Sequence, residues 1–215
     1  MNRLVLPRLY VILDAALLTI PETECAQKLA DAGVRLFQYR NKSASSRQLF
    51  EAAGRLSSLL IPRGVLFVVN DRADVASLSG ASGVHVGQED LGVQAARFVI
   101  GPSKWVGVST HNLEQFERAA ATSADYIAVG PVFSTSTKTN PDPVIGLNFI
   151  AKARALTSKP IVAIGGITLD RAAEVIRAGA DSVAVISDIL FAPDPAKRAR
   201  QFIDLLEAAD HAAFV

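Results

Sequence analysis

The sequence contains a single cysteine, Cys25, among its 215 residues. A lone cysteine cannot form an internal disulfide, which favours a reducing compartment, and we expect a cytoplasmic protein. Cys25 lies in a helical pattern, so we interpret it as a small buried hydrophobic residue rather than a nucleophile. The apolar N-terminal region is interrupted by Pro7, Arg8 and Asp14. It therefore lacks a clean signal-peptide core followed by a small-residue cleavage site.

The chain also has no excess charge of either sign and no long apolar run. Its formal net charge is +1, with no basic stripe or acidic tail, so nothing indicates binding to nucleic acid. No stretch reaches the roughly 18 apolar residues of a membrane span. Half of the residues are hydrophobic and a fifth are charged, as in ordinary globular proteins. We expect small-molecule substrates as partners, and the oligomeric state stays open.

Short apolar, β-branched runs alternate strictly with segments of helical spacing, which predicts eight strands and eight helices. Continuous apolar strands indicate burial on both faces and hence a parallel sheet. The predicted strands cover residues 9–13, 35–40, 65–69, 83–87, 105–109, 126–130, 160–164 and 182–187.

Two architectures fit this alternation, an open doubly wound sheet and a closed (β/α)8 barrel. Helix-to-strand junctions repeat a pattern in "DAGVRLF", "SGASGVHV", "TSADYIAV" and "RAGADSVAV", where a small residue closes each helix. This weak internal repeat, without any dividing linker, favours a single-domain (β/α)8 TIM barrel over residues 1–215. The chemistry of such a barrel lies at the carboxyl ends of its strands.

The end of the second predicted strand carries Gln38, Arg40 and Lys42, spaced by two. An extended chain points all three side chains the same way. Two cations on one face suit an anionic ligand, and the guanidinium fork of Arg40 matches phosphate oxygens. The alternative is a solvated strand terminus, although an unpaired polar group at Gln38, inside the apolar run, would be costly.

Acidic residues follow the third and fourth predicted strands. Asn70 or Asp71 could cap the next helix, and so could Asp90. In a barrel, however, Asp71 and Asp90 face one mouth, beside the basic groups of the second strand. Magnesium is usually held by one or two carboxylates together with substrate phosphates. The pair therefore predicts a Mg²⁺ site that also holds a polyphosphate.

Two histidines near these positions receive structural interpretations. His85, inside the fourth strand, is expected to be a hydrogen-bonded core residue, and His111 a solvated residue at a helix start. Ser109 ends the fifth strand, and Asn112 is expected to cap the helix that follows, with Gln115 completing a capping box.

The sixth predicted strand opens into "GPVFSTSTKTNPDP", residues 130–143. Thr135, Ser136 and Thr137 offer hydroxyl and backbone donors and Lys138 adds a charge, so the segment could wrap phosphate oxygens. An ordinary surface loop is the alternative. After the seventh strand, the adjacent glycines of "AIGGI" allow backbone amides to approach an anion at a helix N-terminus near Thr168. Ser187 ends the eighth strand, in the region where barrels frequently bind phosphate.

Seven motifs, in order along nearly the whole chain, resemble those of the thiamine-phosphate synthase family. They are "QYRNK", "NDR", "HVGQED", "GVSTH", "GPVFSTSTK", "IGGI" and "VIS". The resemblance implies a (β/α)8 fold and a Mg²⁺-dependent transferase of thiamine biosynthesis. It would join hydroxymethylpyrimidine diphosphate to hydroxyethylthiazole phosphate, releasing thiamine phosphate and pyrophosphate.

The resemblance also implies roles for individual residues. Those that would hold the pyrimidine diphosphate are Gln38, Arg40, Lys42, Asn70, Ser109 and Lys138, with Ser109 and Lys138 taken as catalytic. Asp71 and Asp90 would hold Mg²⁺. The thiazole phosphate would be bound by Thr135, Thr137, Gly166, Ile186 and Ser187. Departures from the family pattern, at Asn41, Ser123 and Ser134, remove no group with an assigned charge role.

Three rival functions remain. A sister group with the same barrel isomerises the thiazole phosphate, but it needs a proton-transfer group rather than a diphosphate site. A non-catalytic binder should have lost a metal carboxylate, whereas both Asp71 and Asp90 are present. An aldolase-type barrel would need an interior strand lysine for a Schiff base, and none is evident.

Overall fold

The computed structural model describes residues 5–135 and 142–212, and its central element is a closed barrel of eight parallel strands. The strands are paired in sequence order, and β1 also pairs with β8 to close the barrel. Their bounds are β1 Leu9–Asp14, β2 Leu36–Arg40, β3 Leu66–Asn70, β4 Gly83–Val86, β5 Trp105–Thr110, β6 Tyr126–Val129, β7 Ile161–Ile164 and β8 Ser182–Val185. The predicted (β/α)8 TIM barrel is confirmed, and the open sheet is wrong.

Helices follow the strands and cover the outside of the barrel. They are α1 Glu22–Asp31, α2 Ser46–Leu60, α3 Ala73–Leu78, α4 Val93–Ile100, α5 Leu113–Ala120, α6 Gly146–Leu156, α7 Leu169–Arg177, α8 Ser187–Leu190 and α9 Pro195–Ala212, with a 3-10 turn at Ile61–Arg63. The eighth strand is shorter than predicted, because it ends at Val185 and Ser187 begins the short helix α8. Across the described ranges, no helix combines the length and the apolar character needed to cross a bilayer.

Two apolar clusters explain why the predicted strands are hydrophobic along both faces. The larger cluster lies between the outer faces of the strands and the helices, and contains Cys25 as the small buried residue that its helical position predicted. The smaller cluster fills the barrel interior, with Tyr10, Val68, Tyr126 and Val162 among its members. A strand buried between two apolar layers needs apolar residues at successive positions rather than at every second one.

The repeated helix-to-strand junction has a specific structural role. A polar residue just before, or at the start of, β4, β6 and β8 accepts a hydrogen bond from the first backbone amides of the preceding strand. The pairs are Ser82 Oγ with Phe67 N (3.1 Å), Asp125 Oδ2 with Val106 N (2.7 Å) and Asp181 Oδ2 with Ile161 N (2.8 Å). The repeat therefore fixes strand register at the amino end of the barrel and leaves the carboxyl end for the site.

Candidate active site

A cavity of about 720 Å³ opens at the carboxyl ends of the strands. Eleven of the thirteen side chains or loop residues that the sequence assigns to the site line it. They are Gln38, Arg40, Lys42, Asn70, Asp71, Asp90, Ser109, Thr135, Gly166, Ile186 and Ser187. The other two, Thr137 and Lys138, lie outside the described residues. The topology thus gathers residues from seven strand ends, those of β2 to β8, around one cavity.

Both cations at the end of β2 pair with carboxylates. Arg40 donates to Asp14, a buried residue at the end of β1, and Lys42 donates to Asp71 after β3. Both cations line the cavity, and the lysine side chain remains 55% exposed. The Lys42–Asp71 pair is partly solvated, so Lys42 can exchange one anionic oxygen for another at small cost, whereas loss of Arg40 would leave the buried Asp14 carboxylate without this partner. The predicted orientation of the three β2 side chains towards a common site is confirmed.

Asp71 is held in an unusual backbone conformation. Its φ of 63° lies in the left-handed region, which few non-glycine residues adopt, and its amide donates to His85 O at 2.7 Å. Burial raises the pKa of the Asp71 carboxyl, and the neighbouring Asp90 raises it further, while the hydrogen bond from Lys42 lowers it. The fold therefore brings two carboxyl groups from adjacent strand ends close enough for Asp90 to affect the protonation of Asp71.

This carboxylate pair suits Mg²⁺ better than a transition metal. In the described part of the chain, no three His, Cys, Asp or Glu side chains converge as a metal-binding group, so an all-protein site of the zinc type is not formed there. Magnesium needs only one or two carboxylates when phosphate oxygens and water complete its shell. Asp90 is already oriented, because its Oδ2 accepts from Gly87 N at 2.8 Å. The donor set of Asp71 and Asp90 fits the magnesium expectation.

The capping alternatives for these residues are wrong. Helix α3 follows Arg72 and helix α4 follows Gly92, and neither N-cap position has a side-chain hydrogen bond. Asn70 lies at the end of β3 and lines the cavity instead. The carboxylates of Asp71 and Asp90 therefore do not cap a helix.

Histidine and serine occupy the middle of the cavity floor. His85 is buried and its Nε2 lies 2.8 Å from Ser109 Oγ, while its Nδ1 lies 3.0 Å from Tyr126 Oη. Burial lowers the pKa of His85 to about 4, because the imidazolium form would lose its hydration. The expectation of a hydrogen-bonded core histidine is confirmed, with the addition that the bond reaches a predicted site residue.

The expectation for His111 is wrong, whereas that for Asn112 holds. His111 is half-buried, lines the cavity and donates from Nδ1 to Gly130 O at 2.7 Å. Asn112 caps α5 through Gln115 N at 2.9 Å, but the Gln115 side chain accepts from the amide of His111, not from that of Asn112, so the capping box is incomplete. Tertiary contact with β6, rather than helix capping, therefore positions His111.

Backbone amides dominate the opposite side of the cavity. Gly165 and Gly166 have φ values of 101° and 63°, and a side chain at Gly166 would lie 2.3 Å from Ser134 O, so only glycine allows this turn. The N–H groups of Gly165, Gly166 and Ile186 donate to no acceptor within residues 5–135 and 142–212. Thr168 precedes α7 as predicted. Free amides beside a cavity are suited to phosphate oxygens.

A family model described as thiamine monophosphate synthase matches residues 9–189. The chain belongs to this family. The match spans the barrel from β1 to α8 and includes every strand end that lines the cavity. The transferase interpretation of the sequence motifs is thereby confirmed at the level of the family, a family of thiamine-biosynthesis enzymes.

Individual relatives agree with this family assignment. A thiamine-phosphate synthase from Koribacter versatilis is 50% identical over 210 residues, covering 94% of this chain and 97% of the relative. One from Chloroflexus aurantiacus is 44% identical over 207 residues, covering 96% and 95%. The solved thiamine phosphate pyrophosphorylase from Pyrococcus furiosus superposes with a TM-score of 0.86 at 36% identity, over 94% and 96% of the two chains.

Beside the motifs shared with the family, the site contains residues that the sequence did not single out. Tyr10, Asp14 and Asp142 also line the cavity, and Tyr126 lies directly beneath it against His85. Asp14 carries a usable signal, because an acid at the end of an apolar strand is costly without a partner. The tyrosines carry none, since aromatic residues are ordinary in buried strands.

Proposed function

We propose that this chain joins 4-amino-2-methyl-5-hydroxymethylpyrimidine diphosphate to hydroxyethylthiazole phosphate, with Mg²⁺, giving thiamine phosphate and pyrophosphate. The supporting observation is a cavity with two differently built ends, each suited to an anion. One end combines Arg40 and Lys42 with paired carboxylates, and the other combines the free amides after β7 and β8. Two phosphorylated substrates need two such ends.

The pyrimidine diphosphate is assigned to the end formed by β2, β3 and β4. Arg40 and Lys42 bind the diphosphate oxygens, with Lys138 as a further cation, and Asn70 contributes its amide. Asp71 and Asp90 hold Mg²⁺, which when bound neutralises charge on the diphosphate leaving group. Lys42 pairs with Asp71 in the absence of ligands. When Asp71 binds Mg²⁺ instead, the Lys42 ammonium group can bind the diphosphate.

The thiazole phosphate is assigned to the end formed by β7 and β8. Gly166, Ile186 and Ser187 bind its phosphate, chiefly through backbone amides, while Thr135 and Thr137 contact the ring or its substituents. A helix beginning at Ser187 adds its first N–H groups to the same side. This division leaves the centre of the cavity, at Ser109, for the reacting methylene group.

The coupling is assigned a dissociative course. The bond between the pyrimidine methylene carbon and the diphosphate oxygen breaks, and the diphosphate leaves with the electron pair. The thiazole nitrogen then donates its lone pair to the pyrimidinylmethyl cation, forming the new C–N bond. Such a reaction asks the protein for leaving-group stabilisation and positioning rather than for a base. Ser109 and Lys138 act as the catalytic contacts at the pyrimidine and the diphosphate.

A coupling assay with both substrates tests this proposal. Purified protein is incubated with Mg²⁺ or with EDTA, and thiamine phosphate is followed by its oxidation to a fluorescent thiochrome. We expect product in Mg²⁺ and a large loss in EDTA. Folded protein that binds the thiazole phosphate but makes no product would contradict the proposal and favour the isomerase or the non-catalytic binder.

A further inference from the structure

Five side chains form a continuous hydrogen-bonded chain across the barrel interior. Gln38 Nε2 donates to Tyr10 Oη at 2.9 Å, and Tyr10 Oη lies 3.1 Å from Tyr126 Oη. Tyr126 Oη lies 3.0 Å from His85 Nδ1, and His85 Nε2 lies 2.8 Å from Ser109 Oγ. The chain therefore joins strands β2, β1, β6, β4 and β5, and it begins and ends at residues that line the cavity.

Packing holds this chain, named the polar relay below, in one arrangement. Gln38, Tyr10, Tyr126 and His85 are all buried. The His85 ring stacks on Tyr126 with centroids 5.5 Å apart, and a side chain at Gly107 would lie 2.0 Å from the Tyr126 ring. Buried polar groups that lose a partner are penalised, so each member of the polar relay depends on the next.

The relay carries no net charge near neutral pH. Tyr10, Tyr126 and His85 are buried, and the relay groups to which their side chains bond are neutral amide, hydroxyl and imidazole groups, so an ionised form would lose its hydration without gaining an ion partner. In a neutral relay, a change at one end can affect the other end only by reversing which atom of each hydrogen-bonded pair is the donor.

Counting protons fixes that direction. Tyr10 accepts from Gln38, and its single buried hydrogen needs an acceptor, which among the described residues is Tyr126 Oη. Tyr126 in turn donates to His85 Nδ1. A neutral imidazole that accepts at Nδ1 carries its hydrogen on Nε2, so His85 donates to Ser109. Ser109 Oγ is thus an acceptor within the relay and keeps its own hydrogen for the cavity.

The two ends of the relay consequently differ in character. Gln38 uses one N–H of its amide for Tyr10, and its Oε1 accepts no hydrogen bond from any described residue. Gln38 therefore offers an acceptor at one point of the cavity, while Ser109 offers a donor at another. If the glutamine amide were reversed, every proton in the relay would reverse, and Ser109 would lose its donor.

We infer that Tyr10, Tyr126 and His85 are positioning residues that tie the donor role of Ser109 to the amide orientation of Gln38. The cavity then selects a heterocycle with a donor towards Gln38 and an acceptor towards Ser109, as an exocyclic amine beside a ring nitrogen provides. The direction of the relay is inferred from the hydrogen bonds of the fold alone. The role of the relay in recognising the pyrimidine rests on the proposed function.

The tautomer of His85 tests the direction of the relay without any substrate. In protein labelled with ¹⁵N-histidine, ring nitrogen shifts distinguish a hydrogen on Nε2 from one on Nδ1, and loss of a signal in His85→Asn assigns the residue. We expect the Nε2–H tautomer in the unaltered protein. Gln38→Glu at pH 8.5 places a carboxylate that can only accept from Tyr10, so His85 should change to the Nδ1–H tautomer.

Two matched variants show whether the change travels through the relay. Gln38→Met keeps the volume but imposes no direction, so His85 should show the Nε2–H tautomer that a neutral histidine side chain favours by itself, and only an imposed acceptor at position 38 should reverse it. Adding Tyr126→Phe to Gln38→Glu cuts the relay and should restore Nε2–H, and Tyr10→Phe provides a second cut if the first combination is poorly folded. An Nδ1–H tautomer in the unaltered protein, or a tautomer that ignores Gln38→Glu, would overturn the inference.

The functional part is tested with Tyr126→Phe alone, because Tyr126 is not among the residues that line the cavity. Losing control over one hydrogen bond should lower kcat by about 3- to 10-fold, with the KM for the thiazole phosphate unchanged. An unchanged kcat would overturn the role in the reaction. If the unaltered protein makes no thiamine phosphate, the proposed function fails, while the tautomer response still decides the direction of the relay.

Discussion

At the residue scale, both cations at the β2 end of the cavity pair with carboxylates. Lys42 binds Asp71 and Arg40 binds Asp14, so positive charge that could attract phosphate is balanced in place. A diphosphate bound there competes with Asp71 for Lys42, and a metal ion on Asp71 and Asp90 would release the lysine from that carboxylate. We therefore expect diphosphate binding and metal binding to depend on each other.

The variant Asp71→Asn tests the metal-holding role with little disturbance of the backbone. Asparagine tolerates the left-handed φ of 63° far better than alanine, so the turn should persist. We expect turnover to fall by roughly 100-fold or more, as for other lost electrostatic contacts to a developing charge. Asp74→Asn, on the adjoining helix and paired with Arg72, is the control. Near-normal rates in Asp71→Asn would refute the magnesium assignment.

Burial of His85 predicts a pH dependence of stability. The pKa of His85 is lowered to about 4 in the folded protein, against an ordinary value near 6.5, so the unfolded chain binds the proton more readily. Neutral His85 therefore contributes fully to the free energy of unfolding above about pH 6.5. This contribution is lost as the pH falls towards 4, and the total loss is about 3 kcal/mol.

Denaturant unfolding at pH 7.0 and pH 5.0 measures this effect. The free energy of unfolding of the unaltered protein should be lower at pH 5.0 than at pH 7.0. In His85→Gln the decrease should be distinctly smaller, because the two proteins share all their other titratable groups and differ only at position 85. Equal losses in both proteins would mean that His85 is already protonated, or is solvated, in the fold.

At the element scale, the repeated junction before β6 and β8 predicts where stability is concentrated. Asp181 accepts from the first amide of β7 and from Arg154 on α6, each at 2.8 Å, and so joins a strand, a helix and the junction itself. Asp181→Ala leaves a buried strand amide without its acceptor and should cost about 2 kcal/mol of unfolding free energy.

The exposed Asp204 on α9 provides a matched control, because Asp204→Ala should leave stability within about 0.5 kcal/mol. Since Asp181 lies at the amino end of the barrel, Asp181→Ala should keep the kcat of the folded protein. A large fall in kcat without loss of stability would show that the two ends of the barrel are not independent.

Elements were predictable from the sequence to the extent that their signals are local. All eight strands and the even spacing of Gln38, Arg40 and Lys42 follow from periodicity, and so does the helix start after Thr168. The apolar, β-branched run "VIS" predicts a strand at Ser187, whereas the structure begins α8 there.

Contacts between segments far apart in the sequence could not be predicted from local periodicity. Tyr10 and Tyr126 are 116 positions apart, and their hydroxyl groups meet only because closure of the barrel turns β1 and β6 towards a common interior. The same applies to Asp14 with Arg40, 26 positions apart, and to His111 with Gly130 O. From the local sequence, Asp14 is only an interruption of an apolar segment and His111 is a solvent-exposed residue. In the folded protein, Asp14 is buried and pairs with Arg40, and His111 bonds to Gly130 O.

At the scale of the whole molecule, barrel closure brings the two proposed anion-binding ends into one cavity. The β1–β8 pairing leaves a single strand, β1, between β2 with its cations and β8 with its free amide at Ile186. Two ends of one rigid cavity can still bind their ligands independently, if each ligand contacts its own strand ends. Thermal stability reports such binding directly, because a ligand that binds only the folded state stabilises it.

Two variants should separate the two ends. In the unaltered protein, either thiazole phosphate or pyrophosphate with Mg²⁺, at about 100 times its Kd, should add about 2.7 kcal/mol and raise Tm by roughly 5 to 10 °C. Asp71→Asn should lose the response to pyrophosphate with Mg²⁺ and keep that to thiazole phosphate. Gly166→Ala should do the reverse, because its side chain would meet Ser134 O at 2.3 Å and distort the turn that carries the free amides. Loss of both responses in either variant would mean that the anionic ligands share one site, and the division of the cavity between two substrates would be wrong.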